Sequence, residues 1–204
     1  MRLELTEVLA CPRCGCDYGL IGLVDQMEGR RIVAGRLDCP NCEDRHPIVD
    51  GVVHLLGSAA EQAGDPVAVA GDVADMSSAL LGPPAGPEVL LVGQGLPSLA
   101  NRLAELRPDA WVISYAAPQV PIHERVHCIV PVVGGPLPLR SARVDGVIMS
   151  GEAALDLAEA ARVLAPDRRL LILMPGPDVS RAVAATVQIR ELAADSRAWL
   201  GVRT

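Results

Sequence analysis

Hydrophobic positions along the chain fall into two regimes. From residue 88 onward, short apolar runs alternate with amphipathic stretches. Residues 88–92, 110–114, 126–130, 144–149 and 169–174 read as buried strands, and 97–106, 152–164 and 179–200 as helices. Before residue 57 the apolar positions come in shorter groups broken by turn signals. Residues 18–24 and 31–37 read as strands joined at Glu28-Gly29, and Asp50-Gly51 divides two apolar runs within 46–56. Between these regimes, 58–65 is small and polar, and 66–81 reads as a helix with Asp65 at its N-cap and Pro66 at its first position. A glycine–proline break spans 82–87. The pattern predicts an α/β protein in three parts: a small β module over 1–57, a linker and helix over 58–87, and a parallel sheet with helices on both faces over 88–204. Gly93-Gln94-Gly95, directly after the first strand of that sheet, places a nucleotide-type loop at its C-terminal edge.

Composition narrows the chemistry. Half of the 204 residues are apolar, but Phe is absent, so the core rests on Val, Leu, Ile and Ala. All 18 basic residues are arginine, which excludes lysine-based Schiff-base or general-base chemistry. The net charge of −7 and four aromatic residues argue against an extensive nucleic-acid contact. No apolar run reaches the ~18–20 residues that span a bilayer, and the cytoplasm is the expected compartment.

A repeated phrase in the first module carries the strongest chemical signal. Leu9-Ala10-Cys11-Pro12-Arg13-Cys14 recurs as Leu37-Asp38-Cys39-Pro40-Asn41-Cys42. Two sulfurs three residues apart can face one ion, and two such turns complete a tetrahedral four-cysteine zinc site. The expected ligands are Cys11, Cys14, Cys39 and Cys42, with Cys16 and His46 spare. Secreted disulfides are disfavoured because Arg2 and Glu4 interrupt the first ten residues. A fully coordinated ion has no open position, so the metal is expected to staple a module too small to hold itself. Loss of one thiolate is then expected to unfold that module alone.

Leu-Ala-Cys-Pro-x-Cys, the second Cys-x-x-Cys, and Pro47-Ile48-Val49-Asp50-Gly51-Val52-Val53 together resemble the zinc-ribbon family of the small activator subunit of tRNA and release-factor methyltransferases. That resemblance covers about residues 1–57 and implies a partner-binding role. Leu137-Pro138-Leu139, Ala142 to Ile148 and Leu157-Ala158-Glu159-Ala160-Ala161-Arg162-Val163-Leu164-Ala165-Pro166 resemble class I S-adenosylmethionine (SAM)-dependent methyltransferases over about residues 66–177. The resemblance implies a Rossmann-like sheet of about five strands in the order 3-2-1-4-5, and a SAM cleft formed at Gly93, Gly95, Tyr115 and Gly134.

The chain departs from that family where the cofactor is held. Leu91 stands where the first strand carries an acid, Pro97 where the loop has its third glycine, and Tyr115 where an acid grips both ribose hydroxyls. The acid expected near the adenine falls among Val133, Gly134 and Gly135. The connection from the second strand to the third is short and interrupted by Pro118 and Pro121. With 179–200 read as a helix, the family's two closing strands are absent, and strand 169–174 becomes an apolar edge that invites a homodimer or another protein partner. These departures imply a non-catalytic scaffold or activator; the other reading is an active SAM-dependent enzyme completed by a partner. His123-Glu124-Arg125-Val126-His127 matches the zincin motif, but its second histidine opens a strand rather than extending a helix. Glu152 and Asp156 read as a solvated helix start rather than as an acid–base pair.

Overall fold

A computed structural model describes residues 1–55, 71–84, 86–93, 96–115, 122–130, 136–151, 157–184 and 188–204. A 3-10 turn at Leu3–Glu7 precedes six strands: β1 (Ala10–Cys11), β2 (Gly15–Gly19), β3 (Ile21–Glu28), β4 (Arg31–Asp38), β5 (Arg45–Val49) and β6 (Val52–His54). Asp50 and Gly51 both take positive φ, 51° and 79°, which suits the tight hairpin joining β5 to β6. Helix α1 (Gly71–Leu81) leads to β7 (Glu88–Val92), α2 (Pro97–Leu106), β8 (Ala110–Ser114), β9 (Val126–Val130) and β10 (Val144–Ser150). The chain continues through α3 (Leu157–Val163), β11 (Leu164–Leu173), α4 (Val179–Ala184), β12 (Ile189–Ala194) and β13 (Ala198–Arg203). The expected N-terminal part of the first helix, with Asp65 and Pro66, lies outside the described residues.

Strands β9, β8, β7, β10 and β11 lie side by side, all parallel, in the predicted order 3-2-1-4-5. The segment read as a long terminal helix is instead a short helix followed by a β-hairpin. Strand β13 runs antiparallel to β11, pairing Arg169 with Val202 through Leu173 with Ala198, and β12 pairs in turn with β13. The hairpin therefore covers β11 on this side, β12 becomes the outermost strand, and the apolar edge expected at 169–174 does not exist. Local chemistry fits the difference: the Asp195 carboxylate accepts the Arg197 and Ala198 amides at 2.8 Å each, an Asx turn that reverses the chain between the two strands. Trp199 is fully buried, and its indole donates to Glu191 across the hairpin at 2.6 Å.

The other side of the sheet is extended by the N-terminal module. Strand β6 pairs in parallel with β9, Val53 with Ile129 and His54 with Val130, and β5, β4 and β3 follow outward. One sheet of eleven strands results. The core is equally continuous. Met1, Leu5, Val8 and Leu9 share a buried cluster with Ile113, Tyr115, Ile129, Leu137 and Leu139. On the opposite face, Leu99, Ala100 and Leu103 of α2 pack on Leu90, Val92 and Val112.

Two arginine clamps lock the connections. Arg107, buried just after α2, pairs with Glu88 of β7 and donates to the carbonyls of Ser78 and Gly82 at 2.9 and 3.0 Å. Arg162 of α3 donates to the carbonyls of Leu137 and Leu139 at 2.8 and 2.7 Å, and Glu159 accepts the Leu137 amide at 2.8 Å. In the stretch Leu157-Ala158-Glu159-Ala160-Ala161-Arg162 the helix thus carries a salt bridge that straps the preceding crossover. That crossover also meets the N-terminal module, since Ala10 donates to the Pro138 carbonyl and Arg140 to that of Val8.

Candidate metal centre and cofactor edge

The two cysteine turns converge. Cys11 and Cys14 bracket the turn after β1, and Cys39 and Cys42 bracket the turn after β4, so the register of the module sets their meeting point. The four sulfurs lie within 4.8 Å of one another. Cys11 Sγ is 3.6 Å from Cys42 Sγ, and Cys39 Sγ is 3.8 Å from Cys14 Sγ. A tetrahedral ion with metal–sulfur bonds of ~2.3 Å has sulfur–sulfur edges of ~3.8 Å, so the spacing suits one such ion.

Local donors prepare the site for charge. The Cys14 amide points at Cys11 Sγ at 3.4 Å, and Asn41 Nδ2 points at Cys14 Sγ at 3.2 Å. Burial, the largest single influence, works against a thiolate at Cys39, but the amides of Cys42 and Asn41 together with the Cys11 and Cys42 thiols bring it down to about 7. Cys42 is pushed up to about 12: its neighbouring sulfurs and desolvation overcome the Asp44 amide, the largest single influence on it. Four crowded sulfurs cannot all ionise against amides alone, and a dication would supply the missing charge. Cys16 and His46 fall outside the set of four. His46 is fully buried on β5 opposite Leu37, and burial depresses its pKa.

At the C-terminal edge of the sheet, Gly93 follows β7 and Tyr115 follows β8. The Gly93 amide donates to Ile148 of β10 at 2.8 Å, and the Tyr115 amide donates to Val92 at 2.9 Å. The structure thus brings these two predicted positions side by side; Gly95 and Gly134 lie outside the described residues, as do Glu152 and Asp156. Leu91 is wholly buried and Tyr115 is 6% exposed, both within the hydrophobic core. Among the described residues no carboxylate ends β7 or β8, so this edge does not fit the bidentate ribose grip that the methyltransferase resemblance implies. Beyond it, at the ends of β10 and β11, a cavity of about 290 Å³ is lined by Met149, Ser150, Gly151, Ile172 and Val179. Among the described residues its one carboxylate, Asp178, is exposed and paired with Arg181. The sequence reading missed this cavity, whose lining joins the ends of β10 and β11 to the loop before α4 and its first turn.

His123 and His127 do not share a helical face. The former sits in a turn, its Nδ1 accepting the Arg125 amide at 3.2 Å, and the latter is on β9. The zincin geometry is absent.

No family model matches the chain, and no curated protein is similar to it in sequence. Solved structures of SAM-dependent methyltransferases are similar to it in fold. A SAM-dependent O-methyltransferase from Thermotoga maritima is 10% identical, with 83% of this chain and 77% of that one covered and a TM-score of 0.49. A geranyl diphosphate methyltransferase in complex with SAM is 16% identical over 60% of this chain and 66% of its own, with a TM-score of 0.48. A precorrin-6Y C5,15-methyltransferase from Geobacter metallireducens is 9% identical over 71% and 92%, with a TM-score of 0.47.

Proposed function

We propose that this protein is a zinc-stapled, methyltransferase-like binding protein of the cytoplasm, non-catalytic, acting as a scaffold or activator for a protein partner. Zinc is held by Cys11, Cys14, Cys39 and Cys42 and is structural. The observation that carries the non-catalytic reading is the pair of core positions Leu91 and Tyr115, which stand where the resemblance would put carboxylates. A ribose whose hydroxyls leave water without that acceptor loses about 1–3 kcal/mol for each unsatisfied group. Isothermal titration of the zinc-loaded chain with SAM and S-adenosylhomocysteine tests this. No heat of binding is expected up to ~1 mM ligand, and a micromolar Kd would overturn the reading.

The module's own β6 is already paired with β9, so an activator contact through that strand is made within the chain. A partner, or a second copy, is then expected at the free edge of β3, where Ile21, Leu23, Val24 and Met27 are all at least 40% exposed. Light scattering with and without an Ile21→Lys/Leu23→Lys change checks the homodimer. The alternative is an active SAM-dependent methyltransferase completed by a partner subunit. It draws on the two strands added beyond β11 and on the 290 Å³ cavity at the ends of β10 and β11. Under that alternative, SAM binding appears once the partner is added.

A further inference from the structure

At the end of the sheet opposite Gly93, where β8 and β9 begin, lies a cavity of about 510 Å³ between the sheet and the N-terminal module. Trp111, His127 and Arg125 line it from the sheet side, and Arg2 and Arg31 from the module. The Arg2 guanidinium lies over the Trp111 ring, 4.6 Å from its centroid, and the His127 ring is 6.1 Å from Trp111 at a tilt of 34°.

Charge in this cavity is unevenly matched. Arg31 donates to the Asp50 carbonyl at 3.3 Å and Arg125 to the Pro108 carbonyl, so both spend donors on neutral oxygens. Among the described residues neither has an ion-pair partner. Arg2 has only Glu4, at 4.0 Å, and that carboxylate is engaged by Arg30. The three acids at the cavity, Glu28, Asp109 and Glu124, are exposed, whereas the arginines are half-buried. Deeper still, His127 is 3% exposed, and its Nε2 has no hydrogen-bond partner among the described residues. A buried imidazole nitrogen without a partner and three partly desolvated guanidiniums without close carboxylates all gain from an incoming polar anion.

We propose that this cavity binds a phosphorylated small molecule that carries a flat heteroaromatic ring, of the mononucleotide class. Guanidinium forks match the planar bidentate geometry of phosphate oxygens. The Trp111–Arg2 stack offers a surface for the ring, and His127 Nε2 supplies one directional hydrogen bond. The volume falls within the ~300–1,000 Å³ of small-molecule sites. A nucleic-acid strand, with phosphates spread along its length, would meet the exposed acids of the rim, whereas one phosphate group can pass between them.

Isothermal titration of the zinc-loaded full chain with adenosine 5′-monophosphate tests the proposal, with adenosine and inorganic phosphate as partial probes. A sub-millimolar Kd is expected for the nucleotide, with each partial probe at least about tenfold weaker, since each lacks one set of contacts. S-adenosylhomocysteine at ~1 mM should leave that affinity unchanged, because the cavity lies at the end of the strands opposite Gly93. The R2Q/R31Q double variant should weaken binding at least about tenfold, with R125Q as a second variant should the first lose its fold by releasing Trp111. The proposal is overturned by absence of nucleotide binding at about 5 mM, by equal affinity in folded arginine variants, by displacement with S-adenosylhomocysteine, or by binding of an RNA oligonucleotide with the mononucleotide silent.

Discussion

Because the four-cysteine module and the larger sheet share one core, losing the proposed zinc should unfold more than the module. The perturbation is Cys39→Ser, or chelation of the metal from the wild-type chain. A four-cysteine site stripped of its ion leaves crowded sulfurs, two of which, Cys11 and Cys39, are buried. The module then loses its staple. Met1, Leu5, Val8 and Leu9 are each no more than 9% exposed and pack on Ile113, Tyr115 and Ile129 of the sheet. Withdrawing four such side chains at about 1.5–3 kcal/mol each forfeits about 6–12 kcal/mol, an upper estimate because unfolded chains keep some contacts. A domain of this size has only about 5–15 kcal/mol in total. Hydrogen exchange is the assay, read at the amides of Val126–Val130, since β9 is the strand that joins the two parts. Wild-type protein should melt in a single transition, and C39S should lose protection at β9 together with the module. Two independent melting transitions, or unchanged protection over β9 in the stripped protein, would refute the shared-core argument.

Three further outcomes follow from buried groups. Arg107→Met leaves the Glu88 carboxylate buried without its cation, at a cost of about 3–5 kcal/mol; the Arg107→Met/Glu88→Leu double variant should recover most of it, both read by denaturant melts. His127 is held down to about 3 from 6.5, by burial first and then by the terminal ammonium, Arg31 and Arg2, so the unfolded chain binds the extra proton below pH 6.5. Stability contributed by the neutral ring is complete above pH 6.5 and falls by about 2 kcal/mol on going to pH 5, and His127→Asn should flatten that slope in pH-dependent melts. Gly201→Ala should cost about 1–3 kcal/mol and lower the melting temperature, because a Cβ there would press into the Trp199 ring and Ile189.

Legibility followed the range of the interactions. The strands over Ala110–Ser114 and Val126–Val130 and the helix over Pro97–Leu106 were readable to the residue, because each is a local hydrophobic pattern bounded by proline, glycine or charge. The hairpin over Ile189–Arg203 was not. Its residues Arg190, Glu191, Leu192, Ala193 and Ala194 are good helix formers and mostly exposed on the outermost strand, so local propensity pointed to a helix. The Asp195 turn and the Trp199-Leu200-Gly201-Val202 run were the signals that favoured strands. Likewise the four cysteines were legible as one site from their spacing alone, whereas the Arg2, Trp111 and His127 cavity joins residues more than a hundred positions apart and left no pattern.

The sequence by itself determined the four-cysteine cluster, the α/β alternation, the parallel strand order through its resemblance, and the apolar and aromatic residues, Leu91 and Tyr115, near the C-terminal ends of two central strands. Each of these is a property of residue type at short spacing. Tertiary structure alone decided that the module continues the sheet through β6 and β9, that the hairpin covers β11 on the far side, and that a half-buried arginine cluster gathers beneath the strands. Edge pairing is chosen by backbone groups that every residue carries, so no side-chain pattern announces which strand will find which partner.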